Sequence, residues 1–280
     1  MILINLEAES PSTHKIIRYP DGQISVKVRD CDDHVEIISR MSSFNDVQKI
    51  LCAAAAIRDL NPDAKLSLDV PYFMGARSDR RFSAGQDFYL KEVICPIVNS
   101  VGFSRVTVLD PHSGILPATL NRCDVRQPTS LWSMAASEIG SGGLAILCPD
   151  AGAQKRAELA AESMQAKEIV YCTKNREIST GRITKACVPC DDFKGRDVVI
   201  VDDICDGGRT FTWLSGLIAG RNVGGVYLVV THGIFSAGFD ELSKGFDHIF
   251  CTDSYKTVSH PLVTQYKLFE EKLCRSIRFC

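Results

Sequence analysis

The chain has no apolar run near the roughly 18 to 20 residues that a membrane span needs, and its start, MILINLEAES, lacks the basic leader and long apolar stretch of a signal peptide. A cytoplasmic protein without membrane contact is expected. Net charge is also small. A formal −2 with a pI near 6.3 gives no global attraction to nucleic acid or to an anionic bilayer, so no nucleic-acid partner is expected and a polyanionic ligand must be met by local basic clusters. Neither GxxxxGK followed by Ser or Thr nor GxGxxG occurs, which removes the usual nucleotide-loop explanations. Linkers rich in Pro, Gly or Ser, low-complexity tracts and clear repeats are missing as well.

What is present is the composition of a globular protein, 280 residues with 45% apolar and 24% charged, enough for two domains of ordinary size. The polar stretch WSMAASEIGSGG, residues 132–143, is the expected seam and gives domains 1–135 and 136–280. Twelve cysteines are spread along the chain, several inside apolar runs such as LAILCPD and EIVYCTK; they read as reduced, buried thiols. The one CxxC, Cys187 to Cys190, has no second ligand pair at metal spacing and reads as structural.

Short β-branched runs recur: MILINL, EIISR, KLSLDVPYF, VTVLD, LAILCPD, EIVYCTK, DVVIVDD and VYLVVTHG. Between several of them lie segments of helical period. In DVQKILCAAAAIRDL, Val47, Ile50, Leu51 and Ala54 share a face and Asn45 or Asp46 caps the start. YLKEVICPIVNSV is another, with Pro96 expected to kink it or end its first turn; GAQKRAELAAESMQA and RTFTWLSGLIAG complete the set. This alternation predicts an α/β protein with mainly parallel sheets flanked by helices. Ligands of such sheets collect at the carboxyl edge, and nearly every expected strand end here carries polar residues.

VVIVDDICDGGRT, residues 198–210, is the most informative end. The strand is expected to stop at Asp202 and Asp203 and a helix to begin near Phe211, leaving a seven-residue loop. Gly207 and Gly208 let the backbone turn and aim its amides inward, and the helix brings its positive end to the same spot, which suits a phosphate. The two carboxylates suit hydroxyl donors or a metal carried by the ligand. A sugar phosphate satisfies both halves.

DDICDGGRT resembles the phosphoribosyl-pyrophosphate loop of type I phosphoribosyltransferase folds. YPDGQISVKV, MSSFNDVQKILCAAAAIRDL, VPYFMGARSDRR, LDPHSG, CPDAGAQKR, TKNR and THGIFS resemble, in order, further segments of one branch, the ribose-phosphate pyrophosphokinases (PRPP synthetases). The resemblance implies two phosphoribosyltransferase-like domains and transfer of the pyrophosphoryl group of Mg-ATP to the anomeric hydroxyl of ribose 5-phosphate, giving PRPP and AMP. It implies Lys174 and Arg176 as catalytic cations over the triphosphate, and ATP contacts at Tyr19, Asp21, Gln23, Arg77, Ser78, Asp79, Arg81 and His112. Sugar-phosphate contacts fall at Asp150, Asp202, Asp203, Cys205, Asp206, Gly207, Gly208, Arg209 and Thr210, with Asp202 and Asp203 on the ribose hydroxyls and the backbone of 206–210 on the 5-phosphate. His112 and Asp150 are implied at Mg2+, the cofactor; His232 is placed behind the site; a homo-oligomer is implied.

The chain departs from the family pattern where Arg209 replaces a small loop residue, Ser78 replaces Gln, Phe82 replaces an acidic residue, Gln23 replaces Glu, and Asp110-Pro-His-Ser-Gly replaces the longer segment that begins Asp-Leu-His. These changes leave open a relative that acts on a larger ribose-5-phosphoryl compound such as ADP-ribose, with Arg209 meeting the extra phosphate. A phosphoribosyltransferase, or a non-catalytic subunit associated with the synthetase, are the other readings; the first gives no reason for DGQ and ARSDRR, and retention of Lys174 and Arg176 argues against the second.

Overall fold

The computed structural model describes residues 1–8, 10, 12–140, 143–176 and 183–270, without the side chains of 174–176 and 183–186. Contacts divide the chain into two units, one of residues 1–127 joined by 267–270, the other of residues 128–266. The division falls at Gln127 and Pro128, ahead of the expected seam after 135. The stretch expected to be the seam carries helix α4 (Thr129–Ile139), whose Leu131, Trp132 and Ala135 are buried in a core cluster with Ile146, Val199 and Val229 of the second unit.

In the first unit, β1 (Ile2–Asn5), β4 (His34–Ile38), β5 (Lys65–Val70), β6 (Arg105–Leu109) and β7 (Cys123–Arg126) form a five-stranded sheet in the order β1-β4-β5-β6-β7, parallel throughout. A separate antiparallel hairpin, β2 (His14–Arg18) with β3 (Ile24–Val28), packs on helix α1 (Phe44–Leu60). The α1 thiol of Cys52 donates to the carbonyl of Ile24 at 3.3 Å. The helix starts earlier than its apolar period suggests: Ser43 is its N-cap, and the Asp46 carboxylate accepts the Ser43 backbone N–H at 2.9 Å. Val47, Ile50 and Ala54 are buried as the period requires. Around Pro96 the helix does change form, with a π-helical stretch Tyr89–Ile94 leading into α2 (Cys95–Ser100), where the proline sits in the first turn; a ring without an N–H is tolerated there and not further in. A short α3 (Ile115–Thr119) follows β6.

The second unit is a six-stranded sheet, β15-β14-β13-β12-β8-β9, built from β8 (Ala145–Cys148), β9 (Glu168–Tyr171), β12 (Val198–Cys205), β13 (Val226–Gly233), β14 (His248–Thr252) and β15 (Val263–Tyr266). All its pairings are parallel. The central strands are buried on both faces, VVIV of β12 at 0% exposure, which is why they read as continuous apolar runs. Helix α5 (Gln154–Ser163) follows β8 and α6 (Arg209–Ile218) follows β12. After β9 the chain makes an antiparallel pair, β10 (Thr173–Arg176) with β11 (Ile183–Cys187).

Candidate active site

The acid pair of the second unit lies inside a strand rather than after one. Beyond the last β8 partner, Leu147 opposite Ile200, β12 keeps pairing with β13, Asp202 with Val230, Ile204 with His232 and Cys205 with Gly233. One-sided pairing therefore carries the strand through Asp202 and Asp203, and the expected seven-residue loop shrinks to Asp206, Gly207 and Gly208. Helix α6 begins at Arg209, not near Phe211, with Gly208 as its N-cap at φ 75°. Only Gly208 uses glycine's freedom. A Cβ there would sit 3.0 Å from Leu242 Cδ2, whereas one on Gly207 would meet nothing nearer than Ser236 Oγ at 4.0 Å. Gly207 is exposed and borders open space. The loop is braced from the turn that follows β13: the Ser236 hydroxyl donates to Asp206 Oδ1 at 2.5 Å and the Ser236 N–H to the Asp206 carbonyl at 3.1 Å. The first-turn amides of α6 and the positive end of its dipole face this turn, a ready anion site.

Of the residues assigned to the sugar phosphate, Cys205 needs correction. Its side chain is 0% exposed and belongs to the hydrophobic core; burial, then the Asp202 and Asp206 charges, push its thiol up. Its carbonyl is occupied too, accepting the N–H groups of Ile234 and Phe235. Arg209 is exposed and Thr210 half-buried in the first turn of α6.

Asp202 is raised well above the ordinary carboxylate range, first by burial and then by the neighbouring Asp203 charge. The Asp203 N–H donates to Asp202 Oδ1 at 2.9 Å. The opposing charge comes from a residue the sequence reading passed over: Arg156 of α5 places Nη1 3.3 Å from Asp202 Oδ1 and 3.6 Å from Asp203 Oδ1. Its signal in the sequence was a basic residue in the first turn of a helix, where the dipole disfavours a cation. Asp150, at the end of β8, caps the turn leading into α5, Oδ1 accepting from the N–H groups of Gly152 at 2.9 Å and Ala153 at 3.2 Å. His232 is 3% exposed, with Nδ1 2.8 Å from the Ser254 hydroxyl. The backbones of Lys174 and Arg176 run in β10 opposite Ala186 and Ile183, with a bulge between 175 and 176; their side chains lie outside the described residues.

In the first unit, Tyr19, Asp21 and Gln23 form the exposed tip of the β2–β3 hairpin. Gly22 takes φ 90° there, the Tyr19 N–H donates to the Gln23 carbonyl at 2.9 Å, and Asp21 Oδ1 accepts the Gln23 N–H at 3.0 Å. At the carboxyl end of β5, Arg77 is exposed and Ser78 half-buried. Asp79 is 4% exposed and braces its neighbour: Arg80 Nε donates to Oδ1 at 2.9 Å. Burial works to raise the Asp79 carboxyl, yet hydrogen bonds from Arg80 and Ser113 and the Arg80 and His112 charges hold it below the usual range. The structure thus brings His112, which is exposed, to the same cluster as Asp79. Arg81 is exposed and pairs with Glu92. Along the same sheet edge Arg126 Nη2 donates to both oxygens of the fully buried Asp69, each at 3.0 Å.

Among the described residues no group of three or more His, Cys, Asp or Glu side chains gathers into a cation cage. One imidazole in the first unit and one carboxylate in the second are the donor set that the sequence assigns. Such sparse provision suits magnesium, which keeps waters and takes phosphate oxygens in place of an all-protein shell. No helix among the described residues is long and apolar enough to cross a membrane.

No protein-family model matches the sequence. Among curated proteins it is 28% identical over 260 residues to the ribose-phosphate pyrophosphokinase of Pyrococcus furiosus, covering 90% of each chain. It is 27% identical over 251 residues to that of Thermococcus kodakarensis (87% of this chain, 86% of the other) and 29% identical over 231 residues to that of Saccharolobus solfataricus (80% and 77%). The crystal structure of phosphoribosylpyrophosphate synthetase from Mycobacterium smegmatis superposes with a TM-score of 0.79 at 18% identity, covering 99% of this chain and 97% of the other, a likeness of fold. Along nearly its full length the chain is thus similar in sequence to ribose-phosphate pyrophosphokinases and similar in fold to a phosphoribosylpyrophosphate synthetase.

Proposed function

We propose that the protein is a ribose-phosphate diphosphokinase that moves the β,γ-pyrophosphoryl group of ATP onto the anomeric oxygen of ribose 5-phosphate, leaving AMP. The observation that carries this reading is the pairing, within one turn of chain, of an acid pair on β12 with a Gly208-capped helix start. Carboxylates accept hydroxyls and a helix N-terminus takes phosphate, so the two ends of a phosphorylated pentose have separate recognition.

In this account Asp202 and Asp203 accept the ribose 2- and 3-hydroxyls while the amides of 206–210 hold the 5-phosphate. The anomeric oxygen attacks the β-phosphorus of ATP and the bond to the α-phosphate oxygen breaks. Lys174 and Arg176 neutralise the charge that grows on the transferring group, and positioning supplies most of the remaining acceleration. Tyr19, Asp21, Gln23, Arg77, Ser78, Arg81 and His112 hold ATP, with Asp79 acting through Arg80 and His112 rather than on the nucleotide itself. His112 and Asp150 are the protein groups we assign to magnesium, which when bound would supply charge neutralisation. A homo-oligomer is part of the proposal.

Nothing among the relatives supports the larger acceptor, since those compared are named for ribose phosphate. Following AMP release from ATP with ribose 5-phosphate, ribose and ADP-ribose tests the reading: AMP should form with ribose 5-phosphate. AMP formation with ADP-ribose alone would overturn it.

A further inference from the structure

We propose that Arg156 is a positioning residue for the sugar end of this site, clamping the two acids of β12 so that both face an incoming diol as anions; the inference rests on the functional reading above. One guanidinium nitrogen reaches both carboxylates, 3.3 Å to Asp202 and 3.6 Å to Asp203. The three side chains are largely out of water, 10% exposed for Arg156, 18% for Asp202 and 5% for Asp203. Two carboxylates so close repel, and one of them tends to take a proton. A cation lying between them opposes that.

The position of Arg156 argues the same way. It is the third residue of α5, in the turn where a helix dipole disfavours positive charge. Its neighbour Lys155 is exposed to solvent, while Arg156 turns inward to the acid pair. A protonated acid donates a hydrogen bond through one oxygen and accepts less well, so loss of the clamp would weaken the grip on two hydroxyls at once.

Among the described residues, the titratable and charged groups around Asp202 include Asp203 and Cys205 on its own strand, Arg156 on α5, Cys148 at the end of β8 with Asp150 just beyond, and His232 on β13, two residues past the Asp202 partner Val230. Burial pushes the Cys148 thiol up to about 11, and Cys205 is raised as well, so both stay neutral near pH 7. His232 is tied to Ser254. Of these groups Arg156 is the one whose charge lowers Asp202.

The test compares Arg156→Gln and Arg156→Lys with the wild-type enzyme, measuring kcat, KM for ribose 5-phosphate, KM for ATP, and the pH profile of kcat/KM for the sugar. The glutamine variant should raise the sugar KM by about tenfold or more, leave the ATP KM nearly unchanged, and move the acid limb of the profile to higher pH. The lysine variant keeps the charge without the planar head; it should leave the acid limb in place and raise the sugar KM only a few-fold. Lysine decides the matter even if the glutamine protein does not fold. A sugar KM unchanged in either variant, an equal rise in both KM values, or a lysine profile shifted like that expected for glutamine would overturn the clamp. Absence of AMP formation by the wild-type enzyme itself would instead overturn the functional reading.

Discussion

Gly208 sits against Leu242 so closely that a Cβ on it would lie 3.0 Å from Leu242 Cδ2, and its φ of 75° is one that side-chain-bearing residues rarely adopt. Gly208→Ala should therefore cost about 1 to 2 kcal/mol of stability, seen as a lower Tm. Gly207→Ala should leave the Tm unchanged, because the structure has room for its methyl, and yet weaken sugar-phosphate binding where that methyl enters the space beside the loop. Equal Tm loss in both variants would contradict this assignment.

Lys174→Ala should lower turnover by about two to three orders of magnitude, the usual cost of removing one preorganised charge from a transition state, while ATP affinity changes little. Steady-state kinetics beside calorimetric titration with ATP separates the two. Loss of ATP binding with turnover at saturation preserved would refute the role.

Asp202→Asn should trade function for stability. Burial, then Asp203, raises the Asp202 carboxyl in the folded state, so its favourable contribution is present below the ordinary carboxylate range and is lost as pH rises through the folded value. Near neutral pH the asparagine protein should melt higher than wild type, and the gain should vanish toward pH 4. Ribose 5-phosphate affinity should fall and ATP affinity should not. A lower Tm at pH 7 would contradict the direction of the shift.

Thiol reactivity offers a check on the core. Cys187 is exposed, while Cys95, Cys148, Cys205 and Cys251 are buried thiols outside any disulfide. Burial raises Cys95 to about 12 and Cys148 to about 11, and thiolates are the reactive form. Alkylation of the native protein near pH 8, followed by peptide mass spectrometry, should label Cys187 well before these four. Early labelling of Cys148 would be inconsistent with the packing of β8.

Much of the fold was legible because doubly covered parallel strands cannot hide their apolar runs: VVIV and VYLVV announce β12 and β13, and Val47, Ile50 and Ala54 announce α1. Strand ends were harder. Nothing local says that β12 continues through two aspartates; the pairing of Ile204 with His232 on the neighbouring strand does so. Helix α4 was missed because serines and alanines in WSMAASEI look like a linker until Leu131, Trp132 and Ala135 meet the sheet. Cys205 was read with its polar neighbours although its side chain packs in the core with Val198 and Ile200, and Arg156 was passed over because its partners lie 46 and 47 residues away in sequence.

The central claim is that a two-phosphorus unit moves to a phosphorylated pentose. ATP labelled at its β-phosphorus, incubated with magnesium, ribose 5-phosphate and the enzyme, tests it most directly by mass spectrometry. The account predicts unlabelled AMP and a sugar product carrying the label and two added phosphoryl groups. Labelled ADP with a singly phosphorylated gain on the sugar, or no transfer at all, would contradict it.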